Sequence, residues 1–258
     1  MNWIFVRGAG DIASGVLLRL KRCGYAVAAL ETAAPTAIRR SVSFCEAVYA
    51  GEMTVEGVTA RLVNTLPARQ TDWLPLLIDP AGDLIRQSRP AAVIDGILAK
   101  RNLGTAMDMA PATVALGPGF TAGQDVRAVI ETMRGHTLGR VIWQGAALPN
   151  TGVPGLVGGA GAERVIHAPS AGSLHILRDI GSRVEKGELI ARLDAAPVYA
   201  PISGLVRGML REGYPVPRGM KLADIDPRAE ADWHTVSDKA LAVAGGVLEA
   251  LLSMGVRP

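Results

Sequence analysis

A glycine turn near the start of the chain has the residue types and spacing to hold a phosphate. Gly8 and Gly10 follow a short predicted apolar strand and precede a predicted amphipathic helix. Gly8 would permit the turn, and Gly10 would let a phosphate approach the backbone N–H groups at the helix start. Ala13, or Gly15 half a turn later, would let the helix pack on a sheet. The alternative is a tight turn that binds nothing.

Two carboxylates near this turn could take part in binding. Glu31 ends the second predicted strand, 21 residues after Gly10, where a ribose-binding carboxylate is expected. Asp11 favours the helix dipole but would repel a pyrophosphate. We expect Asp11 to point away, or Arg7 or a metal to offset it, or the ligand to differ from an ordinary dinucleotide. A simple helix-start role stays open.

A basic pair follows the second predicted strand. The sequence predicts a helix over residues 36–50, bounded by a proline before it and a glycine after it. Arg39 and Arg40 lie on this helix, close in sequence to Glu31, and could hold a phosphate. The alternative is a solvated helix face.

Further candidates follow the ends of two predicted strands in the middle of the chain. Asp95 and then Lys100 come after an apolar run, and Gly117 and Gly119 follow the next run. In open α/β sheets ligands bind at this edge, and a glycine loop can present N–H groups to an anion. Each residue alone could be an ordinary turn or cap residue.

His136 lies between two glycines, after a helix predicted over residues 125–133. A loop histidine there could act as a general acid or base near neutral pH, or have no role. No nucleophile elbow or Ser-His-Asp order stands out. The catalytic candidates are therefore Asp11, Asp95, Lys100 and His136, and no metal site is predicted.

An internal repeat is the most specific pattern in the second half of the chain. Residues 168–194 recur at 200–226 with a constant offset of 32, sharing Ala-Pro-x-x-Gly and Gly-x-x-Val-x-x-Gly. The pattern resembles the two halves of a biotinyl/lipoyl carrier domain, a flattened β-barrel. Residues 194–197, which correspond to the carrier hairpin, contain no lysine, so covalent carriage is not expected.

These patterns predict an α/β fold class. A Rossmann-like sheet with helices is expected over residues 1–161, a small biotinyl/lipoyl-like barrel over 162–228, and a C-terminal helical region over 229–258 that packs back on the first part. Ser237 is predicted to cap the last helix.

Composition and charge exclude several protein classes. The chain has 258 residues, a net charge of +3 and 4% aromatic residues, which suits neither duplex nor single-stranded nucleic acid binding. Two cysteines without a CxxC motif argue against a disulfide framework and a zinc site. With no secretory pattern and no long apolar span, the sequence predicts a cytoplasmic protein without membrane contact.

Taken together, the motifs resemble the selenium-dependent molybdenum hydroxylase system proteins, bacterial accessory proteins found with such hydroxylases. The resemblance spans about residues 3–252 and lies in the segments 7–15, 35–49, 99–104, 108–111, 117–123, 129–140, 149–152 and 237–240. It implies a role in maturing or supplying the hydroxylase, including its selenium-containing pterin cofactor. The implied partners are the hydroxylase or cofactor-maturation proteins, and a homo-oligomer is a further expectation. No catalytic residue carries over.

Three functions remain open from the sequence. The leading hypothesis is an accessory protein that binds a nucleotide-bearing ligand such as a molybdopterin dinucleotide. The second is an NAD(P)-dependent oxidoreductase, and the third is a non-enzymatic scaffold whose barrel docks the hydroxylase. The predicted ligand-binding residues are Gly8, Gly10, Asp11, Ala13, Ser14, Gly15, Glu31, Arg39, Arg40, Gly117 and Gly119.

Overall fold

The computed structural model describes residues 2–258, which divide into two compact units. The first unit contains residues 2–35, 43–151 and 236–258, and the second contains Thr36–Val42 and Gly152–Thr235.

A mixed β-sheet forms the first unit. Its strands are β1 Ile4–Arg7, β2 Val27–Glu31, β3 Glu52–Val55, β4 Val58–Leu62, β5 Leu74–Ile78, β6 Ala92–Asp95, β7 Ala112–Leu116, β9 Ala128–Ile130 and β10 Val141–Ile142, while β8 Thr121–Ala122 and β11 Gly145–Ala146 form a separate small sheet. The helices are α1 Asp11–Arg22, α2 Ala47–Ala50, α3 Asp83–Ser88 and α4 Asp238–Ser253.

The large sheet has the strand order β10-β9-β7-β6-β1-β2-β5-β4-β3. Its seven inner strands are parallel, and β3 and β10 run antiparallel at the two edges. The central strand β1 is buried along its whole length, as its apolar residues 4–6 require in a parallel sheet covered on both faces, and its last residue, Arg7, is buried as well. The carboxyl ends of β1, β2, β6 and β7 therefore meet at one edge.

Helices α1 and α4 pack against each other in the first unit. A Cβ added to Gly15 would lie 2.7 Å from the Cβ of Ala240, so the glycine permits the close approach. The hydroxyl of Ser237 caps α4 by accepting from the Ala240 N–H at 3.1 Å, which confirms the predicted cap. This contact places the start of α4 beside the first two turns of α1.

The second unit consists of two antiparallel sheets of four strands each. Their orders are β12-β19-β17-β14 and β16-β15-β13-β18. The strands are β12 Val165–His167, β13 Gly172–Ile176, β14 Arg183–Val184, β15 Leu189–Leu193, β16 Ala196–Tyr199, β17 Gly204–Met209, β18 Pro215–Val216 and β19 Lys221–Asp226.

The two repeat copies exchange short strands in this unit. Strand β14 of the first copy pairs with β17 of the second copy, and β18 of the second copy pairs with β13 of the first. The offset of 32 residues relates β14 to β18, so the repeat appears in the structure as a reciprocal exchange.

The expected fold class, a Rossmann-like sheet with helices followed by a small β-barrel, is wrong, whereas the expected C-terminal helix is present as α4. The first unit is a large mixed sheet with few helices. Among the described helices between its strands, only α1 is longer than six residues, so helices do not alternate with strands as a doubly wound fold requires. Among the described strands of residues 162–228, none pairs between the two sheets, which leaves no closed barrel.

Two predicted helices are also wrong. Residues 36–50 form two short 3-10 turns, Arg40–Val42 and Phe44–Glu46, followed by the single helical turn α2. The predicted helix over residues 125–133 is replaced by β9, which pairs with β7 and β10. Pairing with β7 and β10 outweighed a local spacing that suits a helix.

Candidate functional site

Three loops of the first unit meet at the carboxyl edge of the large sheet. A Cβ added to Gly8 would lie 3.1 Å from backbone atoms of Gly96 and Ile97, which follow β6. A Cβ added to Gly119 would lie 2.5 Å from the backbone N of Arg101. These contacts bring together the loops after β1, β6 and β7, and α4 begins beside them.

Carboxylates hold the glycine turn after β1. The Glu31 carboxylate accepts a hydrogen bond from the Ala9 N–H at 2.8 Å and a second from the Thr32 N–H at 2.7 Å. Asp11 accepts from the Ile12 N–H at 2.8 Å. Two N–H groups at the start of α1 that could face a phosphate therefore already have partners within the chain.

Gly10 has free space above it. A Cβ added there would meet no other described part of the chain within 4 Å, whereas one added to Gly15 would collide with α4. Gly10 begins α1 with an extended backbone and no side-chain cap. Open space beside the helix start is what a ligand at this edge requires.

Ser14 and Ala13 lie inside the fold. The Ser14 hydroxyl donates to the Ala9 carbonyl at 3.0 Å and accepts from the Phe44 N–H at 2.8 Å. A Cβ added to Gly96 would lie 3.0 Å from the Cβ of Ala13. These two predicted ligand-binding residues shape the turn from within.

Asp95 takes part in a buried charged network. The Thr105 hydroxyl donates to the Asp95 carboxylate at 2.6 Å and accepts from the Arg7 guanidinium at 2.5 Å. The Arg7 and Asp95 charged groups are 3.8 Å apart. Burial raises the pKa of Asp95, against the opposing effect of Thr105, the Ile97 N–H and Arg7. The network anchors the loop that carries Lys100.

Lys239 is a partly buried cation at the start of α4. No hydrogen bond or ion pair joins its ammonium to any residue from 2 to 258. Burial lowers the pKa of Lys239, and Arg134 and Lys100 lower it further, while Asp11 and Glu131 raise it. The start of α4 therefore holds a cation that has no hydrogen bond or ion pair among residues 2–258 but lies within electrostatic range of Asp11, Glu131 and Lys100.

Glu131 is almost wholly buried next to this lysine. Its carboxylate accepts from the Met133 N–H at 2.7 Å and from the Leu148 N–H at 2.8 Å. Gly117, which has a φ of +75°, leaves room for the Thr132 side chain that follows Glu131. The loops after β7 and β9 are thus fixed against each other, with a carboxylate held between backbone donors.

His136 and the predicted basic pair lie elsewhere. His136 is exposed on its loop, with its Nε2 atom 3.2 Å from Arg140. Arg39 and Arg40 belong to the second unit, where Arg39 donates to the Thr235 carbonyl at 3.1 Å. Arg40 donates to the Met209 carbonyl at 2.8 Å and to Asp179 at 2.6 Å.

Sequence reasoning missed three residues of the edge, namely Thr105, Glu131 and Lys239. One signal was available: a lysine in the first turn of a helix opposes the helix dipole, so its presence there needs another reason. Lys239 is the second residue of α4. No comparable signal marks Thr105 or Glu131.

Residues 2–258 lack two features, a membrane-spanning helix and a metal-binding cluster. Not one of the helices there combines the length and the apolarity needed to cross a bilayer. Those residues also contain no group of three or more His, Cys, Asp or Glu side chains arranged to hold a metal.

The chain has a similar relative among known proteins, although no protein-family model matches it. It is 52% identical over 256 residues to the uncharacterized protein YqeB of Escherichia coli K12, an alignment of 97% of this chain and 47% of that protein. The chain thus spans about half the length of this relative. The description of this relative states no activity.

Three solved structures are distantly similar. They are the product-bound ectoine utilization protein EutE (DoeB) of Ruegeria pomeroyi at 14% identity, a succinylglutamate desuccinylase of a Silicibacter species at 14%, and a succinylglutamate desuccinylase/aspartoacylase of Rhodobacter sphaeroides at 16%. The matches cover 88%, 87% and 89% of this chain and 85%, 84% and 86% of those chains, respectively. Each TM-score is 0.27, too low to assign a fold or an activity to this chain.

Proposed function

We propose that the chain is an accessory protein of a selenium-dependent molybdenum hydroxylase system that binds an anionic, nucleotide-bearing ligand. The binding site is the carboxyl edge of the first unit's sheet. The accessory role rests on the sequence resemblance, and the ligand site rests on Lys239. A molybdopterin dinucleotide is the ligand that suits both.

Lys239 carries the proposal because burial disfavours its charged ammonium, which has no hydrogen bond or ion pair among residues 2–258 and only electrostatic attraction to Asp11 and Glu131. A phosphate oxygen within hydrogen-bonding distance would offset that cost. Lys100, which is exposed on a loop held by Gly119, supplies a second cation at the same edge.

The ligand's phosphate is expected at the lysines rather than on the N-terminus of α1. The Ala9 and Ile12 N–H groups are already bonded to carboxylates, and Asp11 would repel a phosphate at that helix end. The open space above Gly10 remains for an uncharged part of the ligand.

A panel of thermal-shift and calorimetric titrations tests the site. NAD, NADP, FAD, ATP, CTP and a pterin dinucleotide are compared on the wild type, Lys239→Gln and a control, Lys186→Gln, which alters an exposed lysine of the second unit. Loss of a charged hydrogen bond should weaken binding about 10- to 100-fold in Lys239→Gln only. Absence of any ligand effect, or full retention in Lys239→Gln, contradicts the proposal. Selective NADP or NAD binding would instead favour the oxidoreductase.

A further inference from the structure

A cavity of about 1150 Å³ opens at the amino edge of the first unit's sheet. Its lining includes Asn2, Ala91 and Pro111, which precede strands β1, β6 and β7. The candidate site described above lies where the same strands end. The cavity is therefore a separate place on the first unit.

Positive charge predominates around this cavity. Four arginines line it, Arg86, Arg89, Arg127 and Arg257, against the single side-chain carboxylate of Asp108 among the described lining residues. The guanidinium groups of Arg89 and Arg127 form no hydrogen bond or ion pair with any residue from 2 to 258. Two cations thus remain available to a negatively charged ligand.

Arg89 occupies a backbone position that disfavours arginine. It follows the last turn of α3 with φ +47° and ψ +67°, in the left-handed region where glycine is the usual residue. Pro90 comes next, and a proline further restricts the residue before it. A strained non-glycine residue points to a function of its side chain.

The remaining lining of the cavity is partly apolar. Met107, Met109, Ile85 and Pro90 contribute side chains to it, and methionine adapts to ligands of different shapes. We propose that this cavity binds a small organic anion, with an oxyanion group held by Arg89 and Arg127 and an apolar body against the methionines.

Fluorescence titration with 8-anilinonaphthalene-1-sulfonate tests the cavity, because this dye joins a sulfonate to an apolar aromatic body. The uncharged dye N-phenyl-1-naphthylamine is the matched probe without the anion. The variants are Arg89→Gly and Arg127→Ala. The controls are Arg69→Gly, an exposed loop arginine outside the cavity lining, and Lys239→Gln at the carboxyl edge.

Each cavity variant should bind the sulfonate dye about tenfold more weakly, and both controls should bind it as the wild type does. The melting temperature of Arg89→Gly should equal or exceed that of the wild type, because glycine relieves the left-handed strain. If Arg89 served only to stabilise the fold, Arg89→Gly would melt at a lower temperature than the wild type. The proposal would be overturned by any one of three results: no sulfonate-dye binding by the wild type, sulfonate-dye binding by both cavity variants as tight as that of the wild type, or binding of the uncharged dye by the wild type as tight as that of the sulfonate dye.

Discussion

Arg7 and Asp95 are register partners on the neighbouring parallel strands β1 and β6, and the Thr105 hydroxyl bridges their charged groups. Both charged side chains are buried, with 5% and 2% of their surfaces exposed. A buried pair of opposite charges stabilises a fold only when further hydrogen bonds satisfy it. Thr105 provides that bond from a loop ten residues beyond Asp95.

Thr105→Val removes this bridge while keeping the shape of the side chain. Unfolding free energy should fall by about 1–3 kcal/mol, because a buried guanidinium and carboxylate each lose a hydrogen bond. Urea denaturation measures the change, and Thr105→Ser, which keeps the hydroxyl, serves as the control. An unchanged stability in Thr105→Val would show that the hydroxyl does not bridge the pair.

Asp95 should give the protein a distinctive pH dependence. Burial raises the pKa of Asp95 in the folded state above its unfolded value of about 3.9. The folded state therefore binds the proton more tightly, so the stabilising contribution is present below that value and is lost as pH rises through the folded pKa. Unfolding free energies of the wild type and Asp95→Asn between pH 3 and pH 7 should show the wild type losing stability relative to the variant. If the unfolding free energies of the wild type and Asp95→Asn changed with pH in parallel, a raised pKa of Asp95 would be contradicted.

Lys239→Met should stabilise the protein at neutral pH while weakening ligand binding. Burial lowers the pKa of Lys239 in the folded state, so the folded state binds fewer protons than the unfolded state just below the unfolded value of about 10.4. The charged lysine therefore costs stability at pH 7, and this cost shrinks as pH rises towards that value. Chemical denaturation should show that Lys239→Met exceeds the wild type in unfolding free energy by less at pH 9.5 than at pH 7. A variant less stable than the wild type at pH 7 would mean that attraction to Asp11 and Glu131 outweighs the cost of burying the Lys239 charge.

Gly15→Ala and Gly10→Ala form a matched pair on α1. The new methyl group at residue 15 would press on Ala240, and overpacking of this kind costs about 1–3 kcal/mol. The methyl group at residue 10 meets open space, and we expect a loss below about 1 kcal/mol there. Denaturant melts give the two values. Equal losses would mean that α1 and α4 are not in tight contact at residue 15.

The two cysteines should differ sharply in reactivity. Cys23 is exposed, whereas Cys45 is buried, and burial together with nearby Glu31, Glu46 and Asp11 raises the pKa of its thiol. Thiolates are the reactive form, so Ellman's reagent should modify one thiol per folded chain and two after denaturation. Rapid modification of both in the folded protein would place Cys45 at the surface.

The strands of the first unit were largely predictable. A parallel strand buried on both faces is a mostly apolar run, as at β1, β6 and β7, which contain one polar or charged residue each. The order of the strands in the sheet could not be predicted, because the same apolar runs are compatible with several strand orders and several kinds of connection. Residues 125–133 are an example: their apolar spacing suits a helix, but pairing with β7 and β10 places Ala128–Ile130 in the sheet.

The candidate site was predictable only in its local part. Gly8, Gly10 and Glu31 are close in sequence, and the bond between Glu31 and Ala9 places that carboxylate on the turn. Lys239 reaches the same edge through packing between α1 and α4, more than 200 residues apart in sequence. No spacing within a single segment records such a contact.

The exchange of short strands in the second unit has a consequence for how that unit folds. Each sheet needs one strand from the other repeat copy, β14 in one case and β18 in the other. A peptide with a single copy would therefore have a donor strand without its acceptor and an acceptor edge without its donor. A second copy of the peptide would supply both the missing strand and the missing edge. Such a peptide is therefore expected to fold by forming a homodimer as its concentration rises. In the intact chain the covalent link sets a high local concentration, and the two copies form one cooperative unit.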